Sequence, residues 1–389
     1  MRSFLFYVVV DFSFYFTVSD HLSASAMSTG SPTKPPRNSL LLPSVLVILV
    51  GVITALTYRS IIKPPPPKLC GSPGGPPITA PRIKLRDGRY LAYKEHGVPR
   101  DEARRKVIFI HGSDCCRHDA VYATRLAPGL IEELGLYLVS FDRPGYGESD
   151  PDPNRTPKSL ALDVEELADH LNLGAKFYVI GYSMGGQATW GCLKYIPHRL
   201  AGATLVAPVV NYWWKSLPLN VSTQGYSLQP KRDQWAVRVA HYAPWLIHWW
   251  NTQRWFPGSS VANRDGSSFS QPDKDIVLKL GSSRKPHLAE VRPQGLHESI
   301  NRDMIVGFGS WEFDPIELQD PFLNTDQGSV HLWHGDDDML VPVIPQRYIA
   351  EKLPWLHYHE VPGSGHFFHY NEGVVDDIVM TLFKTDTEN

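Results

Sequence analysis

The sequence has no excess of charge of either sign: 38 Lys and Arg stand against 40 Asp and Glu, for a formal net charge of -2. That balance excludes the basic face on which nucleic-acid binding depends. Cysteine is scarce as well. Cys70, Cys115, Cys116 and Cys192 are too few and too irregularly spaced for a disulfide framework or a zinc site, so they read as free thiols. His331 with His334, and His357 with His359, are the closest metal-like pairs. Strand alternation and the lack of a third ligand at usable spacing argue against a site there, and neither a metal nor a cofactor is implied. Internal repeats are absent, and low complexity is confined to one Pro-rich stretch.

What the chain does have begins with an apolar run. From Leu40 to Tyr58 no residue is charged, and at about 1.5 Å per residue the run covers roughly the 30 Å of a hydrocarbon core. Polar, Pro-rich flanks separate it from any partner layer, so a single membrane-spanning helix over 40–58 is the expectation, with Pro43 in the first turn where its missing N–H costs little. Residues 59–80 form a Pro-rich linker of extended type. Residues 1–39 read as a tail whose first apolar run is interrupted by Asp11, with Met27 as a second candidate start. Basic residues flank the span on both sides, Lys34 and Arg37 against Arg59, Lys63 and Lys68, so the charge pattern selects no membrane side.

Residues 81–389 alternate between short apolar runs of buried-strand type and helical patterns, which points to a mostly parallel sheet of eight strands covered on both faces. RIKLRDG and RYLAYKEHG read as a hairpin turning at Asp87-Gly88. Strands are expected at 106–112, 136–145, around FYVIG, at 203–210, 330–335 and 357–363, with a helical pattern between the second pair. Between 211 and about 313 the alternation fails. That stretch is helical in tendency and rich in aromatics, with seven of the 11 Trp residues crowded between Trp213 and Trp255, and it reads as a cap inserted over the sheet.

Gly181-Tyr182-Ser183-Met184-Gly185 fits G-x-S-x-G, in which a strand turns sharply into a helix and presents a serine. The glycines are required because the turn brings backbone atoms too close for a Cβ. FYVI before the motif and QATWGCLKYI after it supply the strand and helix that the motif needs. A serine hydroxyl becomes a nucleophile only beside a base, and His366, in Gly363-Ser364-Gly365-His366-Phe367, follows an expected strand on a Gly-rich loop. The base in turn needs a carboxylate. Asp336, Asp337 and Asp338 stand in a row after VHLWHG, and spacing alone does not separate them. The other usual position, after the strand ending at Val210, carries Asn211, which is not an anion.

HGS (111–113), DRPGYGES (142–149), GYSMGG (181–186), HGDDDMLVP (334–342) and GSGHF (363–367), in that order, resemble the α/β-hydrolase superfamily over essentially all of 81–389. The anchor, linker and Trp-rich insert are similar to those of plant membrane-anchored α/β-hydrolase-like proteins. The resemblance implies Ser183 as nucleophile and His366 as base. It selects Asp338 as the acid, through the pattern H-G-x-x-D-x-x-V-P on His334, Gly335, Asp338, Val341 and Pro342. It also implies backbone N–H groups of Met184 and Ser113 as the oxyanion hole. Asp114 departs from the pattern, since a carboxylate beside an oxyanion opposes the chemistry unless it points away. Asp142 and Arg143 read as residues that tie down the loop after the fourth strand.

The expected function is hydrolysis of a carboxylic ester through an acyl-enzyme on Ser183. The substrate is a small lipophilic acyl compound, with the Trp cluster as packing for the cap or as an apolar wall for the acyl chain. Two other classes share the fold: a catalytically weak, receptor-like binder of ligands, and an acyltransferase. Dehalogenases and epoxide hydrolases resemble it too, but they carry Asp where this chain has Ser183.

Overall fold

The computed structural model describes residues 41–281, 287–323 and 328–384. The tail expected at 1–39 lies outside them. The chain divides into two units, Met1–Leu56 and Thr57–Asn389. The first unit holds α1 (Leu41–Thr57) as far as Leu56, a continuous helix without an ionisable side chain, and the second opens with a π-helical turn over Tyr58–Ile62. The stretch Pro43–Ile62 is long and apolar enough to cross a membrane.

The second unit is built on eight strands: β1 (Arg82–Lys84), β2 (Tyr90–Gly97), β3 (Arg105–Ile110), β4 (Leu136–Phe141), β5 (Phe177–Tyr182), β6 (Leu200–Val206), β7 (Val330–Gly335) and β8 (Leu356–Val361). Their spatial order is β1-β2-β4-β3-β5-β6-β7-β8. The hairpin β1–β2 and the β2–β4 pair are antiparallel, and every other pairing is parallel. β4 and β5 are buried at every position, as strands covered on both faces should be. The sequence led us to expect β6 at 203–210. It ends at Val206 because Ala207 turns to φ 45° and Pro208 has no N–H for a ladder.

The longer helices are α2 (Pro157–His170), α3 (Met184–Tyr195), α4 (Leu219–Leu228), α5 (Lys231–Tyr242), α6 (Ile247–Thr252), α7 (Gln271–Leu280), α8 (Arg302–Phe308), α9 (Ile344–Lys352) and α10 (Val374–Leu382), of which α2, α3, α9 and α10 cover the sheet. The helical pattern between β3 and β4 yields only the short turns Val121–Thr124 and Leu130–Leu134. Pro128 and a left-handed Gly129 divide them. α2 shows how sequence makes such an element. Thr156 and Ser159 form a reciprocal cap with Pro157 at the first position, and Leu160, Val164 and Leu167 recur at helical spacing and are buried. Each such side chain contributes about 1.5–3 kcal/mol by leaving water.

One apolar core joins α2 and α3 to one face of the sheet, and a second joins α10 to the other. A third lies among residues of the stretch between β6 and β7, called the insert below. Ala236, Val237, Ile247, Ile300 and Phe308 belong to it, and so do Cys116 and Tyr146 from the loops after β3 and β4. The insert therefore packs as one body with the loops at the C-terminal ends of those strands.

Candidate active site

The turn from β5 into α3 sets the site. Ser183 sits at φ 54° and ψ -118° as the residue before the helix, a conformation costly for a residue with a side chain. Close packing holds it there: a Cβ on Gly181 would lie 2.0 Å from the Thr189 hydroxyl, and one on Gly185 2.0 Å from the Ile110 carbonyl oxygen. Both motif glycines are thus enforced by contact.

Three strand ends bring their loops together at this turn. His366, after β8, has Nε2 3.0 Å from Ser183 Oγ, and its Nδ1 is 2.7 Å from Asp338 Oδ2. Because a carboxylate only accepts, Nδ1 carries the proton and Nε2 presents its lone pair to the serine hydroxyl. Burial disfavours the imidazolium, but the charge of Asp338, its hydrogen bond and the charge of Asp273 together raise the His366 pKa above its ordinary value. Asp338 Oδ1 also accepts the N–H groups of Leu340 and Val341, at 2.9 and 2.8 Å.

The three successive aspartates separate cleanly. Asp336 accepts the Ser364 N–H at 3.3 Å, the Asp337 N–H donates to the Ser364 carbonyl at 2.9 Å, and only Asp338 is buried. His334 is fully buried and donates from Nε2 to the Val341 carbonyl at 2.8 Å. Asn211 holds the insert by donating to the Gly309 carbonyl and accepting from the Trp213 N–H.

Ser113, Ser183, Met184 and His366 line one cavity of about 90 Å³. A Cβ on Gly112 would stand 2.9 Å from Ser183 Cβ, so the HGS loop runs directly across the elbow. Met184 opens α3, where a backbone N–H has no acceptor within the helix. The Ser113 hydroxyl points elsewhere, donating to Asp303 Oδ2 at 3.0 Å.

Asp303, on α8 of the insert, is the centre of a buried network that the sequence did not reveal. It accepts from both terminal nitrogens of Arg143 and from Arg155, all at 2.7 Å, and from the Tyr146 hydroxyl at 2.6 Å. Burial alone would raise its pKa, but the two guanidinium charges and the hydrogen bonds outweigh it and hold the carboxyl well below the ordinary range. Arg143 also donates to the Gly112 carbonyl, while Asp142 accepts from Arg117 and from the Glu148 N–H. These two residues do tie the loop after β4 to the loop after β3.

Asp273, near the start of α7, is a second carboxylate from the insert. It accepts the His366 N–H at 2.9 Å and the Phe367 N–H at 2.8 Å, and it is fully buried. A Cβ on Gly365 would come within 2.3 Å of it, which explains that glycine. Burial pushes its carboxyl above the ordinary value against the opposing effect of those bonds and of His366. Asp114 adopts φ 54° and pairs with Arg264 at 2.8 and 2.9 Å and with Arg292 at 2.6 Å. Its charge is thereby committed to insert arginines, which answers the concern its position raises.

The Trp cluster departs from one of its two expected uses. None of the seven Trp residues lines the cavity, whose apolar wall is aliphatic, from Val209, Val237, Val261, Ile300 and Met304, with Phe308. Among the described residues, His118, His287 and Glu290 bring metal-ligating atoms within 4.8 Å of one another. The two imidazoles stack with centroids 4.3 Å apart and planes 11° from parallel. Each ring's lone pairs lie in its own plane, so the rings must rotate before both can face one ion, and Lys94 Nζ stands 3.3 Å from His118 Nδ1.

A mostly parallel sheet of this order, with a serine at the turn after β5, an aspartate after β7 and a histidine after β8, defines the α/β-hydrolase architecture. The chain belongs to the α/β hydrolase family, whose model matches residues 107–377. Among solved structures it is similar in fold to a thermophilic esterase from Thermogutta terrifontis, at 19% identity and a TM-score of 0.50, with 80% of this chain and 100% of that one covered. An esterase from Exiguobacterium antarcticum matches at 17% identity and a TM-score of 0.53, covering 78% and 99%. A bromoperoxidase from Bacillus anthracis matches at 19% and 0.50, covering 78% and 99%. At these identities the likeness is one of fold.

Proposed function

We propose that the protein is a serine hydrolase that cleaves a carboxylic ester through an acyl-enzyme on Ser183. The observation that carries this reading is the unbroken hydrogen-bonded series from Ser183 Oγ through His366 to Asp338, at 3.0 and 2.7 Å. In this reading His366 Nε2 takes the hydroxyl proton as Ser183 attacks the ester carbonyl, and Asp338 stabilises the imidazolium. The backbone N–H groups of Met184 and Ser113 receive the oxyanion, each contributing about 3 kcal/mol to lowering the barrier. His366 then protonates the departing alcohol. In the second half it draws a proton from water, which attacks the acyl carbon and frees Ser183.

The cavity, at about 90 Å³, is on the order of three water volumes. With its aliphatic wall it favours a lipophilic ester with a short acyl arm. The insert caps the site, and the stretch Pro43–Ile62 anchors the chain by a single membrane pass. A weak, receptor-like binder and an acyltransferase would use the same cavity. The strained serine in hydrogen-bond contact with its base favours chemistry over binding alone, and water as acceptor needs no second substrate pocket.

Turnover of p-nitrophenyl esters from acetate to palmitate, with Ser183→Ala beside the natural protein, tests the proposal. Activity that is highest on the short esters and lost in Ser183→Ala is expected. A folded protein that turns over none of them, or a variant as active as the natural chain, would overturn it.

A further inference from the structure

Four of the seven clustered Trp residues, Trp245, Trp249, Trp250 and Trp255, lie in one segment of the insert, and none of them lines the cavity. Across Tyr242–Pro257 the aromatic side chains stand in water: Trp255 is 77% exposed, Tyr242 66%, Trp245 61% and Phe256 51%. Trp255 and Phe256 form one surface with half-buried neighbours, and Tyr242 and Trp245 are exposed in the same segment. Trp249 packs on Trp255, and Trp250 packs on Phe256 and Trp235. Soluble surfaces rarely leave so large an apolar patch unpartnered.

The turn that carries the patch has settled its own backbone polarity. Gln253 Oε1 accepts the N–H groups of both Trp255 and Phe256, at 2.6 and 2.8 Å. Its Nε2 donates to the carbonyls of Phe256 and Trp250, at 2.7 and 3.0 Å. One amide thus satisfies four main-chain groups of an exposed turn. Water would do that without help, whereas a low-dielectric phase would not, and there each unmet group costs several kcal/mol. Arg254, between the aromatics, is exposed and complements anionic headgroups.

Location points the same way. Tyr58–Ile62, the five residues that end the apolar stretch, lie beside α6, the helix carrying Trp249 and Trp250. From these observations we infer that the exposed aromatic face around Trp245, Trp255 and Phe256 is a lipid-docking surface, seated at the headgroup level of the bilayer that holds the span. Trp and Tyr favour that depth, where the ring meets acyl chains and the polar edge stays wet. The inference rests on the reading of Pro43–Ile62 as a membrane span. It gives the Trp-rich part of the insert a role apart from the cavity, presenting the domain to lipid-dissolved esters.

The test places an environment-sensitive fluorophore on the full-length chain in phosphatidylcholine vesicles containing phosphatidylglycerol, at Trp255→Cys, Trp245→Cys, Val50→Cys within the span, or Lys176→Cys. Lys176 precedes β5 and is exposed, and the four native cysteines are buried. Bromolipids should quench the Val50 label strongly and leave the Lys176 label unchanged. The labels at 245 and 255 should be quenched about half as much as that at Val50, as befits headgroup depth. Labels at 245 and 255 as unquenched as that at 176 overturn the docking surface, whatever the span does, and would point to a protein partner for the patch. An unquenched Val50 label overturns the span alone, and quenching at 245 and 255 would then support a surface that finds lipid unaided. The Trp245 position keeps the test decisive if substitution at Trp255 disturbs the Gln253 turn.

Discussion

Ser183, Asp338 and His366 all hang from the ends of sheet strands, whereas the carboxylates that grip the loops around them come from the insert. Asp273 holds the backbone of the histidine loop, and Asp303 holds the Ser113 hydroxyl and Arg143. Asp114 runs the other way, from the sheet loop to two insert arginines. In the proposed mechanism the sheet supplies the reacting groups and the insert supplies their precision. A cover that merely excluded water would not need three buried or half-buried carboxylate ties to the loops beneath it. The insert is better understood as part of the frame that preorganises the site.

Breaking the sheet side should have the largest effect. Asp338→Asn leaves the shape but removes the charge that fixes the His366 tautomer, and kcat for a short ester should fall about 10⁴-fold. An unchanged rate would move the role to Asp336 or Asp337. On the insert side, Asp303→Asn leaves Arg143 and Arg155 buried without their anion, which should cost about 3–5 kcal/mol of stability, read by chemical denaturation.

The same residue sets an acid limit. Its pKa lies below that of an unfolded aspartate, so its contribution is present above the ordinary carboxylate range and is lost as pH falls towards the folded value. Stability should therefore drop at low pH in the natural protein, with a smaller drop in Asp303→Asn.

Asp273→Ala strands the buried His366 N–H and the partly buried Phe367 N–H at the histidine loop, at up to about 1–3 kcal/mol for each. We expect kcat to fall roughly ten- to a hundredfold with KM little changed, and Asp273→Asn to recover part of the loss. The proposed mechanism needs neutral His366, whose pKa is raised, so kcat/KM should fall on the acid side with a midpoint above the ordinary histidine value. Removing the Asp273 charge should move that midpoint to lower pH, which a purely structural role would not do. The smallest effect belongs to Asp114→Asn, at the half-buried rim: a loss of about two- to fivefold in kcat/KM, in keeping with the modest worth of partly exposed ion pairs.

The same division decides what could be read in the sequence. Strands and the serine turn are local: period, flanking glycines and a five-residue motif carry them, and His366 follows from GSGH. Asp338 needed a family pattern, because Asp336, Asp337 and Asp338 differ only in which one the turn after β7 buries. Asp273 and Asp303 gave no signal at all. Each is one acid among many in a helical segment, and its role depends on loops 93 to 190 residues away. Asp114 looked adverse because sequence adjacency to Ser113 says nothing of direction, and its φ of 54° turns the carboxylate to Arg264 and Arg292. The Trp cluster was visible by composition, but which rings face a cavity and which face outward depends on the packing of α5 and α6.

Whether Ser183 acts as an activated nucleophile is read most simply from the site of covalent capture. Treatment of the full-length protein with a fluorophosphonate, followed by peptide mass spectrometry, should find the phosphonyl adduct on Ser183. Labelling should be strongly slowed in His366→Ala and absent in Ser183→Ala. A folded natural protein that takes no adduct, or takes it on another residue with Ser183 untouched, would contradict the account.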